Sequence, residues 1–225
     1  MQESGNVKKP VALSDLRVSS IPVAECHEKL VDIVGIHKNI FVDDSLDNHS
    51  HLEYTPVFKV RESVAERLTR AANLLPDDYG FIIKESFRPV SMQKFYFNRR
   101  LKRLAAEYLT LSHEELVRLT SEFVAPPNVA GHPTGGAIDL LLCLSGKICD
   151  MGSEYDMDIA SSNGKCMSFC ENISEKAQKN RNIMFSVLSA NGFVNYPFEW
   201  WHWSYGDKYW AAMTNAQFAL YDYVK

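Results

Sequence analysis

No stretch of the chain approaches the roughly 18 consecutive apolar residues that a membrane span needs, so none is expected. The opening run MQESGNVKKPVAL carries Lys8 and Lys9 with no apolar segment behind them. As it stands the chain is therefore not expected to be a secretory precursor. The expectation is a cytoplasmic protein, or a periplasmic one if a signal has been removed. Charge of one sign is also lacking. A formal net charge of −4 gives no electrostatic reason to expect nucleic acid or anionic lipid as a partner. Cysteine is sparse and odd in number, with Cys26, Cys143, Cys149, Cys166 and Cys170. That reads as free thiols in a reducing compartment rather than a disulfide framework. Cys166 and Cys170 could bridge or share a metal, but a structural zinc needs two more ligands, and no second pair follows. Internal repeats and low-complexity segments are absent.

What is there is an ordinary globular balance, with 46% hydrophobic and 23% charged residues over 225 positions. That length serves one large domain or two small ones. Residues 1–20 are polar and aperiodic and read as a loosely ordered arm, with residues 21–225 as the domain. The run DDSLDNHSH, residues 43–51, reads as a loop. Apolar residues at Val60, Val64, Leu68, Ala71 and Leu75 predict a helix over 57–75. A short β-rich run, FIIKESF, ends at Arg88-Pro89, where proline suits the first turn of a helix running to about Tyr108. Ser112 and Glu115 make a capping-box pattern for a helix to about Phe123. AIDLLLCL, residues 137–144, predicts a central strand, and residues 174–190 a helix stopped by Asn191-Gly192. Residues 193–205 read as an antiparallel hairpin and 217–224 as a last strand. The sum is a single α+β domain, an antiparallel sheet flanked by helices on one side.

Two pieces carry chemistry, GHPTGGAID at 131–139 and EWWH at 199–202. Catalytic zinc takes three protein ligands and keeps one position open. His132, Asp139 and His202 can supply the three, leaving Glu199 as proton carrier. Gly135 and Gly136 let the backbone turn tightly enough for His132 and Asp139 to converge. Glu199 and His202 lie three apart in an aromatic stretch that argues for a strand, where that spacing points to opposite faces. Convergence therefore requires a bulge, a strong twist or a strand end.

In this order, HxxxxxxD then ExxH, the chain resembles the D-alanyl-D-alanine dipeptidase (VanX-like) branch of the zinc D,D-peptidases. ESFRP (85–89) is similar to that family's arginine motif, MGSEYD (151–156) to its substrate-amine motif, and EWWH to its terminal zinc motif. The resemblance covers about residues 30–210 and implies the hedgehog/DD-peptidase-like fold. It implies one zinc ion per chain on His132, Asp139 and His202, with Glu199 moving the proton. By the same resemblance Arg88 stabilises the oxyanion and Asp156 pairs with the substrate ammonium. The implied activity is metallopeptidase hydrolysis of D-alanyl-D-alanine or a related D-amino-acid dipeptide, a cell-wall (peptidoglycan) unit. The alternatives are a D,D-carboxypeptidase or endopeptidase acting on longer muropeptides, and a non-catalytic zinc-binding module. Glu199 argues against the last, because a structural site closes its fourth position.

Two departures alter the polar lining of the pocket. Ala130 stands where the family usually has serine, and DIVGIH (32–37) lacks the tyrosine that helps hold the substrate amine. His49 and His51 read as solvated loop residues, and Arg99, Arg100, Lys102 and Arg103 as a solvated helix face. The tryptophans at 200, 201, 203 and 210 read as core and pocket wall. Oligomeric state is left open.

Overall fold

The computed structural model describes residues 10–224. In chain order its elements are α1 (Leu16–Ser19), β1 (Leu30–Asp32), β2 (Ile40–Val42), α2 (Leu46–Leu52), β3 (Lys59–Arg61), α3 (Glu62–Asn73) and β4 (Tyr79–Glu85). They continue as α4 (Val90–Glu107), α5 (His113–Ser121), β5 (Ala137–Leu144), β6 (Lys147–Ile148), α6 (Glu175–Ala190), β7 (Val194–Asn195), β8 (His202–Ser204) and α7 (Lys208–Thr214). The main sheet runs β2-β4-β5-β8-β7, with β6 paired to the end of β5. The architecture is α+β, as expected.

β5 is the spine. Its residues from Ala137 to Cys143 are all buried, so both faces of the strand are covered rather than one. The two-residue period puts Ile138, Leu140 and Leu142 on one face and Asp139 and Leu141 on the other. The first set joins Phe81 and Ile83 of β4 in a core with Val64, Leu68 and Ala71 of α3 and Met184 and Leu188 of α6. The helical spacing of those α3 residues is what lets one face of the helix meet the sheet. The opposite face of β5 carries the chemistry.

Pairing is antiparallel except between β2 and β4, which run parallel. The chain leaves β2, passes through α2, β3 and α3, and returns in the same direction, the crossover a parallel pair requires. Among the described residues no helix is long and apolar enough to cross a membrane.

Several expectations need correcting. The segment 43–51 is not a loop, because Ser45 accepts a bond from the Asn48 amide and caps α2. The predicted helix over 57–75 begins only at Glu62, since Lys59–Arg61 pairs with β1 instead. The tail forms no strand, only a single bridge from Ala219 to Val23. Of the arm expected over 1–20, residues 1–9 lie outside the described residues. The remainder is packed, with Leu13 and Val18 buried against Tyr196, Phe198 and Tyr209. It looked aperiodic because it contributes single anchors rather than a helix face.

Candidate metal centre

Three neighbouring strands set the site. Glu85 of β4 pairs with Asp139 of β5, and Asp139 pairs with His202 of β8. Directly paired residues share a face of the sheet, so the three side chains stand side by side. A register shift in β4 between Ile83 and Glu85 marks a bulge there.

His132 arrives from the other side, at the start of a short 3-10 turn (His132–Thr134) that ends at Gly135. Gly135 has φ +74°, and a Cβ there would lie 2.3 Å from Leu30. Gly136 passes so close to the Tyr205 carbonyl that a Cβ would lie 2.7 Å from it. Both glycines are therefore needed for the turn that brings His132 back over Asp139.

The sequence left open how Glu199 and His202 could converge. The answer is a turn at a strand end. The His202 amide bonds the Glu199 carbonyl at 3.3 Å, closing a β-turn over Glu199-Trp200-Trp201-His202. Asn195 holds it, its Nδ2 donating to the carbonyls of Glu199 (3.1 Å) and His202 (3.0 Å). Trp200 and Trp201 are buried and anchor the turn.

The result is a triangle of donor atoms. His132 Nε2 lies 3.4 Å from Asp139 Oδ2, His202 Nδ1 lies 2.8 Å from Asp139 Oδ1, and the two ring nitrogens are 3.2 Å apart. Ligands placed tetrahedrally at zinc bond lengths are separated by about 3.3 Å, so the triangle fits that ion. His132 Nδ1 donates to the Ser86 carbonyl at 2.7 Å, which leaves a lone pair on Nε2 for a metal. Burial alone would push the Asp139 carboxyl up, but His132 and His202 hold it well below the usual carboxylate range. Burial would likewise lower the His132 imidazole, and the Asp139 charge raises it instead.

All six predicted site residues line one cavity of about 40 Å³: Arg88, His132, Asp139, Asp156, Glu199 and His202. Burial pushes Glu199 far above the usual carboxylate range, and the charges of Asp139 and Asp156 push it further. A cavity this rich in carboxylates favours a divalent cation, which would relieve that repulsion. Arg88 counters part of it. Burial works against the guanidinium charge, but Glu85 outweighs burial and keeps it firmly protonated.

Four participants escaped the sequence reading. Glu85 is fully buried and grips Arg88 through both carboxylate oxygens. Its place inside ESFRP was the available signal. Tyr155 reaches Asp139 Oδ2 at 3.5 Å. Leu13, from the packed N-terminal segment, forms part of the cavity wall. His51 is exposed, as expected, but it belongs to α2 rather than to a loop. Its Nε2 lies 3.0 Å from Asp156 Oδ2, so that carboxylate already has a partner within the protein.

The model of the D-ala-D-ala dipeptidase family of M15 peptidases matches residues 49–221. The chain belongs to that family. A D-alanyl-D-alanine dipeptidase of Synechocystis sp. is 27% identical over 225 residues, covering 87% of this chain and 89% of that protein. One from Enterococcus faecalis is 27% identical over 136 residues, covering 58% of this chain and 64% of that protein. Among solved structures, the LD-carboxypeptidase LdcB aligns with a TM-score of 0.44 at 18% identity, covering 86% of this chain and 74% of that one. That is a loose likeness.

Proposed function

We propose that this M15 peptidase hydrolyses D-alanyl-D-alanine, or a closely related D-amino-acid dipeptide, with one zinc ion per chain held by His132, Asp139 and His202. The observation that supports it most is the meeting of six residues from four separate motifs in one cavity, in a chain whose family is that of the D-ala-D-ala dipeptidases. One catalytic domain carries the site, with the packed segment around Leu13 as part of it, and the partner is a small peptide rather than nucleic acid.

When bound, zinc supplies a water of lowered pKa and polarises the scissile carbonyl. The chain does the rest. Glu199, with a high proton affinity in its buried position, takes a proton from the attacking water and returns it to the leaving amine. Arg88 meets the negative charge that grows on the carbonyl oxygen, and its permanent charge means no proton need move to do so. Glu85 fixes the guanidinium in place. Asp156 receives the substrate's ammonium.

The test is mass spectrometry of D-Ala-D-Ala, L-Ala-L-Ala and a stem pentapeptide after incubation with zinc-loaded protein. The reading predicts D-alanine from the free D,D-dipeptide and little product from the other two. Cleavage of the pentapeptide with the dipeptide left intact would favour a D,D-carboxypeptidase.

A further inference from the structure

Asp156 sits in the left-handed region at φ +60°, a conformation aspartate tolerates better than most residues but does not favour. Its carboxylate is still 41% exposed, and so is not held by burial alone. His51, in the last turn of α2, supplies the missing restraint by bonding Oδ2 at 3.0 Å. A histidine at a helix C-terminus is favoured in its charged form, which strengthens such a bond. The His51 ring is itself set by Tyr155, whose ring lies 5.5 Å away and tilted.

The position of this pair matters as much as its bond. Asp156 lines the metal cavity and also a larger cavity of about 300 Å³ that shares Arg88 with it. His51 lines that larger cavity too, and it also lines a separate groove of about 660 Å³. Lys84, Asp150 and Trp200 form part of that groove. His51 thus stands between the space where the amino end of a dipeptide would rest and a groove wide enough to take more chain.

The geometry points to His51 as the residue that sets substrate length. It holds the Asp156 carboxylate toward the reaction cavity through Oδ2, leaving Oδ1 for the incoming ammonium, and it closes the passage into the groove. A substrate that ends at its free amine fits against this wall, and one with further residues on that nitrogen does not. This inference rests on the reading of Asp156 as the ammonium site. It also accounts for how a pocket without the N-terminal tyrosine still presents an ordered amine site, since the imidazole restrains Asp156 in its stead. His51 is a positioning and specificity residue rather than a catalytic one, because the reacting atoms meet Glu199 and Arg88.

The experiment compares wild type, His51→Ala and His51→Gln on D-Ala-D-Ala and on N-acetyl-D-Ala-D-Ala, with KM and kcat separated. Wild type should prefer the free dipeptide. In His51→Ala the ratio of the two kcat/KM values should fall about 10-fold, mostly through a higher KM for the free dipeptide. Glutamine fills similar space and can donate to Oδ2, so His51→Gln should recover most of the preference. A ratio in His51→Ala within twofold of wild type overturns the proposal, as does a glutamine variant as impaired as the alanine one. Wild type that fails to cleave the free dipeptide at all overturns the dipeptidase reading itself, a result visible before any variant is measured.

Discussion

The Arg88 guanidinium meets the Glu85 carboxylate at two points, with Nε 2.7 Å from Oε1 and Nη2 2.5 Å from Oε2. Nη1 reaches Gln93 Oε1 at 2.8 Å, so one edge of the fork is fully engaged. The remaining N–H groups belong to a side chain that lines the metal cavity. Tyr54 also donates to Glu85, at 2.6 Å. The carboxylate therefore works as a clamp, giving a charged side chain one orientation before substrate arrives.

Arg88→Ala should lower kcat by about 10²–10³ with a smaller change in KM, because the charge it meets exists fully only in the transition state. It should also lower thermal stability by about 3–5 kcal/mol, since Glu85 is left buried without its cation. Steady-state kinetics and a melting curve check both. An unchanged kcat with a large rise in KM would mean that Arg88 only holds a substrate carboxylate.

Glu199→Ala should bind zinc as wild type does and lose nearly all turnover. Metal content by mass spectrometry, measured beside D-alanine release, separates the roles. If metal and activity fall together, Glu199 is a ligand and not the proton carrier.

Asn195→Ala should cost about 1–3 kcal/mol and reduce kcat, because three carbonyls of the turn carrying Glu199 and His202 lose their shared donor. Denaturant unfolding gives the first effect and kinetics the second. Wild-type stability in this variant would show that the buried tryptophans suffice to hold the turn.

Asp158 gives a pH signature. Burial would raise its carboxyl, but bonds from Ser161 and the nearby Arg100 guanidinium hold it below its ordinary value of 3.8. A group depressed in the folded state stabilises above its unfolded pKa and loses that contribution as pH falls through the folded one. Wild type should therefore lose stability below about pH 4 more steeply than Asp158→Asn. Unfolding midpoints between pH 2.5 and 6 provide the comparison, and parallel curves would contradict it.

The regular parts of the fold were legible because they rest on local signals. β5 is a continuous apolar run, and α5 has both halves of its capping box. The candidate metal-site residues were legible for another reason, since His132, Asp139 and His202 sit in two short motifs whose glycines and turn residues aim them at one point. α2 was missed because its cap, Ser45, lies inside a run of loop-forming residues and only Asn48 and Leu52 are buried. The pairing of His51 with Asp156 was hidden for a related reason. The two lie about a hundred residues apart, and no periodicity links a polar helix end to Asp156. Leu13 likewise becomes part of the cavity wall only once the N-terminal segment has folded back onto Tyr196.

The most direct test of the account is a metal titration. Chelator-treated protein is titrated with zinc while D-alanine release from D-Ala-D-Ala is followed, alongside His202→Ala. The triangle of His132, Asp139 and His202 predicts activity that rises from near zero and breaks at one zinc per chain, with little activity in the variant at the same ratio. Full activity in the metal-free protein, or a break at two zinc ions per chain, would contradict it.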